Sequence, residues 1–303
     1  MSRHIPVLLN EAVAALQIHD NGVYVDGTFG AGGYTTCLLN QNTSVRVYAL
    51  DRDETAIEAG QSFVKKYAPR LKLIHGCFGR MAELVPQAVD GIVLDIGVSS
   101  MQIDMPERGF SFQKDGPLDM RMEQTGLTAA QVVNTFKENE LADIIFQYGE
   151  EKKSRLIAKR IVERRREKPF ETTLELAQVI HECMPHKPGE IDSATRTFQA
   201  LRIYVNDELG ELERALTAAK SLLKPNGILA VVSFHSLEDR IVKRFFQEQS
   251  GQTPNANKHL PPMTKEKPSF ELLTKKPVIP TAAEMTANPR ARSAKLRAAR
   301  RLA

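Results

Sequence analysis

The sequence predicts an α/β protein, a Rossmann-like parallel sheet interrupted by an inserted all-α subdomain. Three observations predict it. Short apolar runs alternate with amphipathic stretches over the first hundred residues, as in right-handed βαβ units. The first run passes into a glycine-rich turn, Asp26-Gly27-Thr28-Phe29-Gly30-Ala31-Gly32-Gly33. From about Asp104 to Ser193 the apolar runs stop, and they resume at Ile228. At 303 residues the chain suits one large or two modest domains. The expected division is one discontinuous domain, 1–104 with 195–303, and an inserted helical domain, 105–194.

The elements follow in order. Val7 to Leu16 reads as a short amphipathic helix, and Val23 to Asp26 as the first strand. After the glycine turn a helix is expected over about 34–39. The second strand, Val45 to Leu50, is closed by Asp51. Asp53-Glu54 opens a helix to Tyr67, with acids first and Lys65-Lys66 last, as the helix dipole prefers. Leu71 to His75 is the third strand, and Gly91 to Leu94, closed by Asp95, the fourth. The middle of the chain offers helices over about 129–136, 141–148, 153–166 and 174–184, separated by glycine and proline signals. A single long helix from Thr195 to Leu223 is expected to stop at Lys224-Pro225-Asn226-Gly227. Ile228 to Ser233 is nearly all apolar, as a strand covered on both faces would be. Residues 249–267 read as a polar loop. Phe270 to Val278 and Ala294 to Arg301 read as a last antiparallel pair, the second being equally acceptable as a basic helix.

Composition excludes several classes. No apolar run approaches the roughly 20 residues of a membrane span, and Met1 to Pro6 has no signal-length apolar stretch, so a cytoplasmic protein is expected. Cys37, Cys77 and Cys183 are odd in number and far apart, against a disulfide framework or a Cys-x-x-Cys metal site. No metal site is expected. Net charge is only +4, but it is unevenly distributed. Basic residues concentrate between Lys152 and Lys168 and again from Arg290 to Arg301, the second run without an acid. Either run alone reads better as a solvated face or a tail. Both together on a cofactor fold suit RNA.

A strand, a glycine turn and an acid about 20 residues on, here Asp51, are the general fingerprint of a nucleotide-type ligand. The third glycine of that fingerprint is replaced by Thr35, and no Gly-Lys-Ser/Thr triplet exists, which disfavours a nucleoside triphosphate. Asp26 ahead of the glycines would repel a pyrophosphate and suit a cation. S-adenosylmethionine, an adenosine with an ammonium and a sulfonium, meets that requirement. Gly32 and Gly33 let the backbone approach the ligand. Asp51 can accept both ribose hydroxyls, or merely cap the next helix. Phe78 can cover the adenine, or belong to the core. Asp95 ends the fourth strand where open sheets bind ligands, and Ser99 to Gln102 follow it.

The segments Asp26 to Gly33, Leu94 to Ser100, Arg108 to Phe112, Asp115 to Met122, Thr195 to Ile203, Ser233 to Arg240 and Asn288 to Ser293 resemble the bacterial ribosomal RNA small-subunit methyltransferase H family, from end to end of the chain. The resemblance implies a class I S-adenosylmethionine-dependent methyltransferase domain with an inserted helical domain. It implies methyl transfer to the exocyclic N(4) amino group of one cytidine in the decoding region of 16S rRNA. The partner would be 16S rRNA in the small ribosomal subunit or an assembly intermediate, with the enzyme a monomer or homodimer. Family cofactor contacts fall on Gly32, Gly33, Tyr34, Asp51, Phe78, Asp95 and Gln102. Family members often carry histidine at the position of Tyr34; a backbone contact survives that change, a side-chain role does not follow.

None of the cysteines stands where an attack on a pyrimidine ring would need it, so direct transfer without a covalent intermediate is expected. An amino nitrogen must then be positioned, and its hydrogens accepted. Candidates for the acceptor are Asp95, His235, Asp119 and Asp115, with a structural link from His235 to Glu238 or Asp239 as the alternative for that histidine. Arg155, Lys159, Arg164, Arg165 and the terminal arginines are expected to hold the RNA. The rival classes are a nicotinamide-dependent oxidoreductase, disfavoured by Asp26 and the missing third glycine, and a non-catalytic RNA-binding factor, disfavoured by the intact cofactor positions.

Overall fold

The structure is a computed structural model that describes residues 6–185, 187, 189–252 and 267–303. It divides into two compact units, Met1–Gly97 with Leu209–Ala303, and Val98–Glu208. Of the loop expected over 249–267, residues 253–266 lie outside the described residues.

The first unit is built on seven strands: β1 (Val23–Asp26), β2 (Arg46–Asp51), β3 (Leu71–His75), β4 (Val89–Asp95), β5 (Leu223–Ser233), β6 (Phe270–Leu272) and β7 (Lys295–Arg301). Their order is β3-β2-β1-β4-β5-β7-β6. The first five are parallel, and β7 and β6 close the sheet antiparallel. This is the doubly wound order 3-2-1-4-5 with a final hairpin in which β7 lies inside β6. Helices α1 (Leu9–Ala15), α2 (Gly33–Gln41), α3 (Glu54–Tyr67) and α4 (Met81–Leu84) accompany the first four strands.

Side chains alternate across the sheet. Tyr24, Val47, Ala49, Val93 and Ala230 enter one apolar cluster, while Val23, Val25, Leu50, Ile92 and Leu229 enter another. Because both faces are covered, β1 is buried along its whole length, and the strand reads as continuous apolar sequence. Polar chemistry is confined to the strand ends. Asp26, Asp51 and Asp95 all close parallel strands and therefore share the carboxyl edge.

The second unit is helical: α5 (Ser100–Asp104), α6 (Ala129–Thr135), α7 (Glu138–Gly149), α8 (Ser154–Arg165), α9 (Thr173–Cys183) and α10 (Thr195–Val205). Its described residues contain no strand, only the isolated bridge between Pro117 and Thr172. Leu118, Val132, Ile145, Ile157, Leu176 and Phe198 form its core. The unit extends beyond 105–194 on both sides, because contacts rather than the loss of strands delimit it.

Two expectations are corrected. The stretch from Thr195 to Leu223 is two helices, α10 and α11 (Glu208–Leu222). The break falls where Asp207 takes φ 46°. Asn206, 3% exposed, holds it by accepting from Met122 N at 2.8 Å and donating to the Met120 carbonyl at 2.7 Å. Nor does Lys224 to Gly227 merely stop a helix. Leu223 already pairs with Val89, Ile228 pairs with Gly91, and the residues between bulge out of β5. Residues 295–301 form the strand of the two alternatives.

The helix α12 (Ser236–Gln249) is tied to β7 through Asp239, which accepts from Arg297 Nε at 2.6 Å and Lys295 Nζ at 3.1 Å. Removing one partner of a buried pair leaves the other charge uncompensated. Asp239→Ala is therefore expected to lower stability to urea by about 3 kcal/mol, and Lys295→Ala, whose partner keeps Arg297, by much less.

Candidate active site

The glycine turn is organised by Asp26. This carboxylate is fully buried and accepts from Thr35 Oγ1 at 2.7 Å, Thr35 N at 3.0 Å and Thr28 N at 3.1 Å. Thr35 replaces the third fingerprint glycine, and its hydroxyl is what the buried acid requires. Burial, partly offset by these bonds and reinforced by Asp51, lifts the Asp26 carboxyl to about 6. Gly32 caps α2 with φ 75°, a conformation that favours glycine. At Gly27 an added Cβ would stand 2.4 Å from Leu94 Cδ2 and 3.2 Å from Phe78 Cβ, so the turn can only lie against β4 and Phe78 without a side chain.

Thr28 links the turn to the fourth strand, its Oγ1 accepting from Asp95 N at 2.8 Å. The Asp51 carboxylate is fixed from two sides, Oδ2 accepting from Gly30 N at 2.7 Å and Oδ1 from Asp53 N at 2.8 Å. The helix cap that could have explained Asp51 is supplied by Asp53, which accepts from Thr55 N. Burial holds the Asp51 carboxyl above its ordinary range. Phe78 begins a 3-10 turn and is half-buried against the apolar cluster of β4. The Tyr34 side chain is 3% exposed and its hydroxyl donates to the Val7 carbonyl, so only its backbone is left for a ligand.

Asp95 is half-buried at the end of β4. Its Oδ1 is buried and has no hydrogen-bond partner among the described residues. Burial first, then repulsion from Asp26 and Glu238, raises its carboxyl well above the ordinary value. His235 follows β5 and caps α12. Its Nδ1 accepts from Glu238 N at 3.4 Å and its Nε2 stands 3.0 Å from Glu238 Oε1. Glu238, fully buried, accepts from Phe234 N and His235 N in return. His235 Nδ1 is thus occupied in capping α12, its Nε2 is buried with no hydrogen-bond partner among the described residues although it lies near Glu238, and Asp239 turns to β7.

The remaining candidates belong to the second unit. Gln102 lies in α5, 5% exposed, in a capping box with Ser99. Asp119 is gripped by Arg121, at 2.8 Å from Nε and 2.7 Å from Nη2. Burial raises the Asp119 carboxyl, but the bonds and charge of Arg121 outweigh it and hold it low, which weakens it as a base. Asp115 accepts from Gly116 N and Leu174 N at the start of α9. On α8, Arg155 and Lys159 are exposed. Arg164 instead covers the Phe170 ring at 5.2 Å, and Arg165 donates to the Val133 carbonyl at 2.6 Å. The sequence reading missed the roles of Thr28 and Thr35 as donors to the buried Asp26, and of Thr28 as an acceptor at the end of β4; the departure from glycine at position 35 was the available signal.

Residues 1–302 match the model of the MraW methylase family. The chain belongs to this family. The ribosomal RNA small subunit methyltransferase H of Paramagnetospirillum magneticum is 58% identical over 306 residues, covering 99% of this chain and 96% of that one. The protein of the same name from Rhodospirillum rubrum is 52% identical over 310 residues, covering 99% and 95%. A solved rRNA methylase from Streptococcus thermophilus aligns over 100% of this chain and 99% of its own, with a TM-score of 0.44 and 11% identity. The fold is that of a class I S-adenosylmethionine-dependent methyltransferase, an assignment that rests here on the strand order and the family.

The residues present fit S-adenosylmethionine. Asp51 offers a fixed carboxylate to a ribose diol, and the Oδ1 of Asp95, unpartnered among the described residues, offers an acceptor to a cation or amine. No positive side chain is bonded to Asp26, Asp51 or Asp95 among the described residues, as a phosphorylated ligand would need.

Two outcomes follow for binding. Charge-assisted hydrogen bonds are worth about 1.5–3 kcal/mol, so Asp51→Ala is expected to weaken S-adenosylmethionine roughly 10- to 100-fold by calorimetry, with the protein still folded; unchanged affinity removes Asp51 from the site. A bound cation lowers the pKa of nearby carboxyls. Asp26, at about 6 without it, then releases protons on binding, and affinity rises with pH through about 6 before levelling off. Calorimetry in buffers of different ionisation enthalpy measures that release; proton uptake below pH 6 would contradict it.

Proposed function

We propose that this protein transfers the methyl group of S-adenosylmethionine to the exocyclic N(4) amino group of a cytidine in small-subunit ribosomal RNA, directly and without a covalent enzyme intermediate. The observation that carries the reading is the buried, unpartnered Oδ1 of Asp95 at the carboxyl edge of β4. Buried polar atoms in native proteins are nearly always satisfied. An acceptor left open here is matched by an N–H donor that arrives with a ligand. The names of the relatives point to the small-subunit RNA as the source of that donor.

When bound, S-adenosylmethionine supplies an electrophilic methyl on a cationic sulfur. Gly32, Gly33 and the Tyr34 backbone line its approach, Asp51 holds the ribose, Phe78 covers the adenine, and Gln102 completes the set inferred from the family. The protein must present the amino nitrogen with its lone pair aimed at the donor, because that lone pair is delocalised into the cytosine ring. Asp95 does so by accepting an amino hydrogen. Its raised carboxyl makes it a better base than an ordinary aspartate when the second hydrogen leaves. Asp119 is a weaker candidate because Arg121 already engages it, and His235 because its Nδ1 is occupied in capping α12 and its Nε2 faces Glu238. Cys37 and Cys183 are half-buried thiols that burial pushes up, away from the thiolate a covalent route requires.

The target base must leave its stack to reach such a site. The helical unit, with Arg155 and Lys159 exposed on α8, is assigned to gripping the surrounding RNA, within the small subunit or an assembling particle.

The deciding experiment incubates protein, labelled S-adenosylmethionine and unmethylated small subunits, then identifies the modified nucleoside by mass spectrometry. N(4)-methylcytidine at one position is expected; a carbon-5 product or no product overturns the reading. Loss of a general base costs about 10²–10⁴ in rate. Asp95→Asn is expected to lose at least about 100-fold in kcat. His235→Asn keeps a helix-capping side chain and is expected to stay within about tenfold.

A further inference from the structure

The arginines near the C-terminus do not form one surface. β7 runs antiparallel to β5, so Lys295 pairs with Ser233 and Arg300 with Ile228. The start of β7 therefore lies at the carboxyl edge of the sheet, beside the ends of β4 and β5, and its finish lies at the opposite edge. Arg297 is 8% exposed and bound to Asp239. Arg300 reaches Glu271 at 3.2 Å and Gln17 at 3.0 Å, and Arg301 donates to the Leu223 carbonyl. These three hold the fold.

Ahead of β7 the chain forms the 3-10 turn Pro289–Ser293, and there Arg290 and Arg292 are exposed. Ala291 between them is fully buried, in the apolar cluster that also contains Phe29, Tyr34 and Val7. The turn is closed by Ala291 N donating to the Asn288 carbonyl and Ala294 N to the Ala291 carbonyl, both at 2.9 Å. The preceding helix α13 (Ala282–Ala287) is pinned by Glu284, which accepts from Leu8 N at 2.7 Å. No acid occurs in the sequence after Glu284. The turn thus carries two exposed arginine residues on the same edge as the candidate active site, anchored through Ala291 to the core beneath the glycine turn.

We infer that Arg290 and Arg292 clamp backbone phosphates of the RNA strand that flanks the target base. This deepens the function proposed above and rests on it. Extruding a base leaves its flanking phosphates as the natural handholds, and the planar guanidinium fork matches phosphate oxygens. A clamp on a pre-ordered turn loses little entropy on binding. Arg297, Arg300 and Arg301 take no part.

The test compares Arg290→Ala/Arg292→Ala with Arg300→Ala in the full-length protein. Affinity for small-subunit RNA particles is measured over graded salt, S-adenosylmethionine affinity by calorimetry and Tm by scanning. Each phosphate contact contributes about 0.7–0.9 to the slope of log affinity against log salt. The double variant is expected to flatten that slope by about 1.5 and to weaken binding more than tenfold, with cofactor affinity and Tm unchanged. Arg290→Lys/Arg292→Lys is expected to keep most of the slope, and Arg300→Ala all of it. An unchanged slope in the double alanine variant, an equal loss in Arg300→Ala, or a loss of cofactor affinity overturns the clamp. Failure of the wild-type protein to methylate small-subunit RNA defeats the function instead; the RNA-binding slopes still judge the clamp.

Discussion

Everything at the carboxyl edge depends on the solvation of one buried carboxylate. Asp26 ends a strand covered on both faces, and no water reaches it. An unpaired acid there would be costly, and Thr35 and Thr28 provide the donors it needs. Those donors sit on the glycine turn and the first residues of α2. Satisfying Asp26 therefore sets the path of the turn. Thr28 then accepts from Asp95 N, so the same contacts fix the end of β4. The ends of β1 and β4 are thus linked by hydrogen bonds that run from one side chain through Thr28, and Gly30 of the same turn donates to Asp51 at the end of β2.

The electrostatic consequence is a site that lacks a cation. Asp26, Asp51 and Asp95 are each raised above the ordinary carboxylate range, by burial first and then, for Asp26 and Asp95, by other acids of the same edge. A dinucleotide would add negative charge to this edge, whereas a sulfonium and an ammonium relieve the repulsion. In the proposed site these acidic acceptors would discriminate between ligands that a glycine turn alone accepts equally. That is why the acid ahead of the glycines carried more information than the glycines.

The parallel sheet was legible because its strands are buried on both faces, which writes them as unbroken apolar runs; Leu71–His75 was placed to the residue. The break at Asn206 was not legible, since it is stabilised by Met120 and Met122, far away in sequence. Nor was the bulge in β5, where proline and glycine look the same whether they end a helix or leave a strand. For His235, the alternative of a link to Glu238 was visible from the spacing of an N-cap and its N3 acid. That the ring lies against Glu238 and not Asp239 required the distances.

Charge shows the same divide between what a sequence counts and what a fold commits. The terminal arginines look alike along the chain, yet Arg297 is spent on Asp239 and Arg301 on a carbonyl of β5. On α8, Arg164 lies over an aromatic ring and Arg165 caps a carbonyl of α6, while Arg155 and Lys159 stay exposed. A basic run is therefore an upper bound on the phosphates a protein can hold. The antiparallel placement of β7 decides the rest: with β7 parallel, Lys295 and the turn before it would stand at the far edge of the sheet. The reversal of a single strand brings the arginines ahead of it to the edge where the acids lie. On the proposed reading, that one edge then offers acids to a cationic donor and arginines to a polyanion.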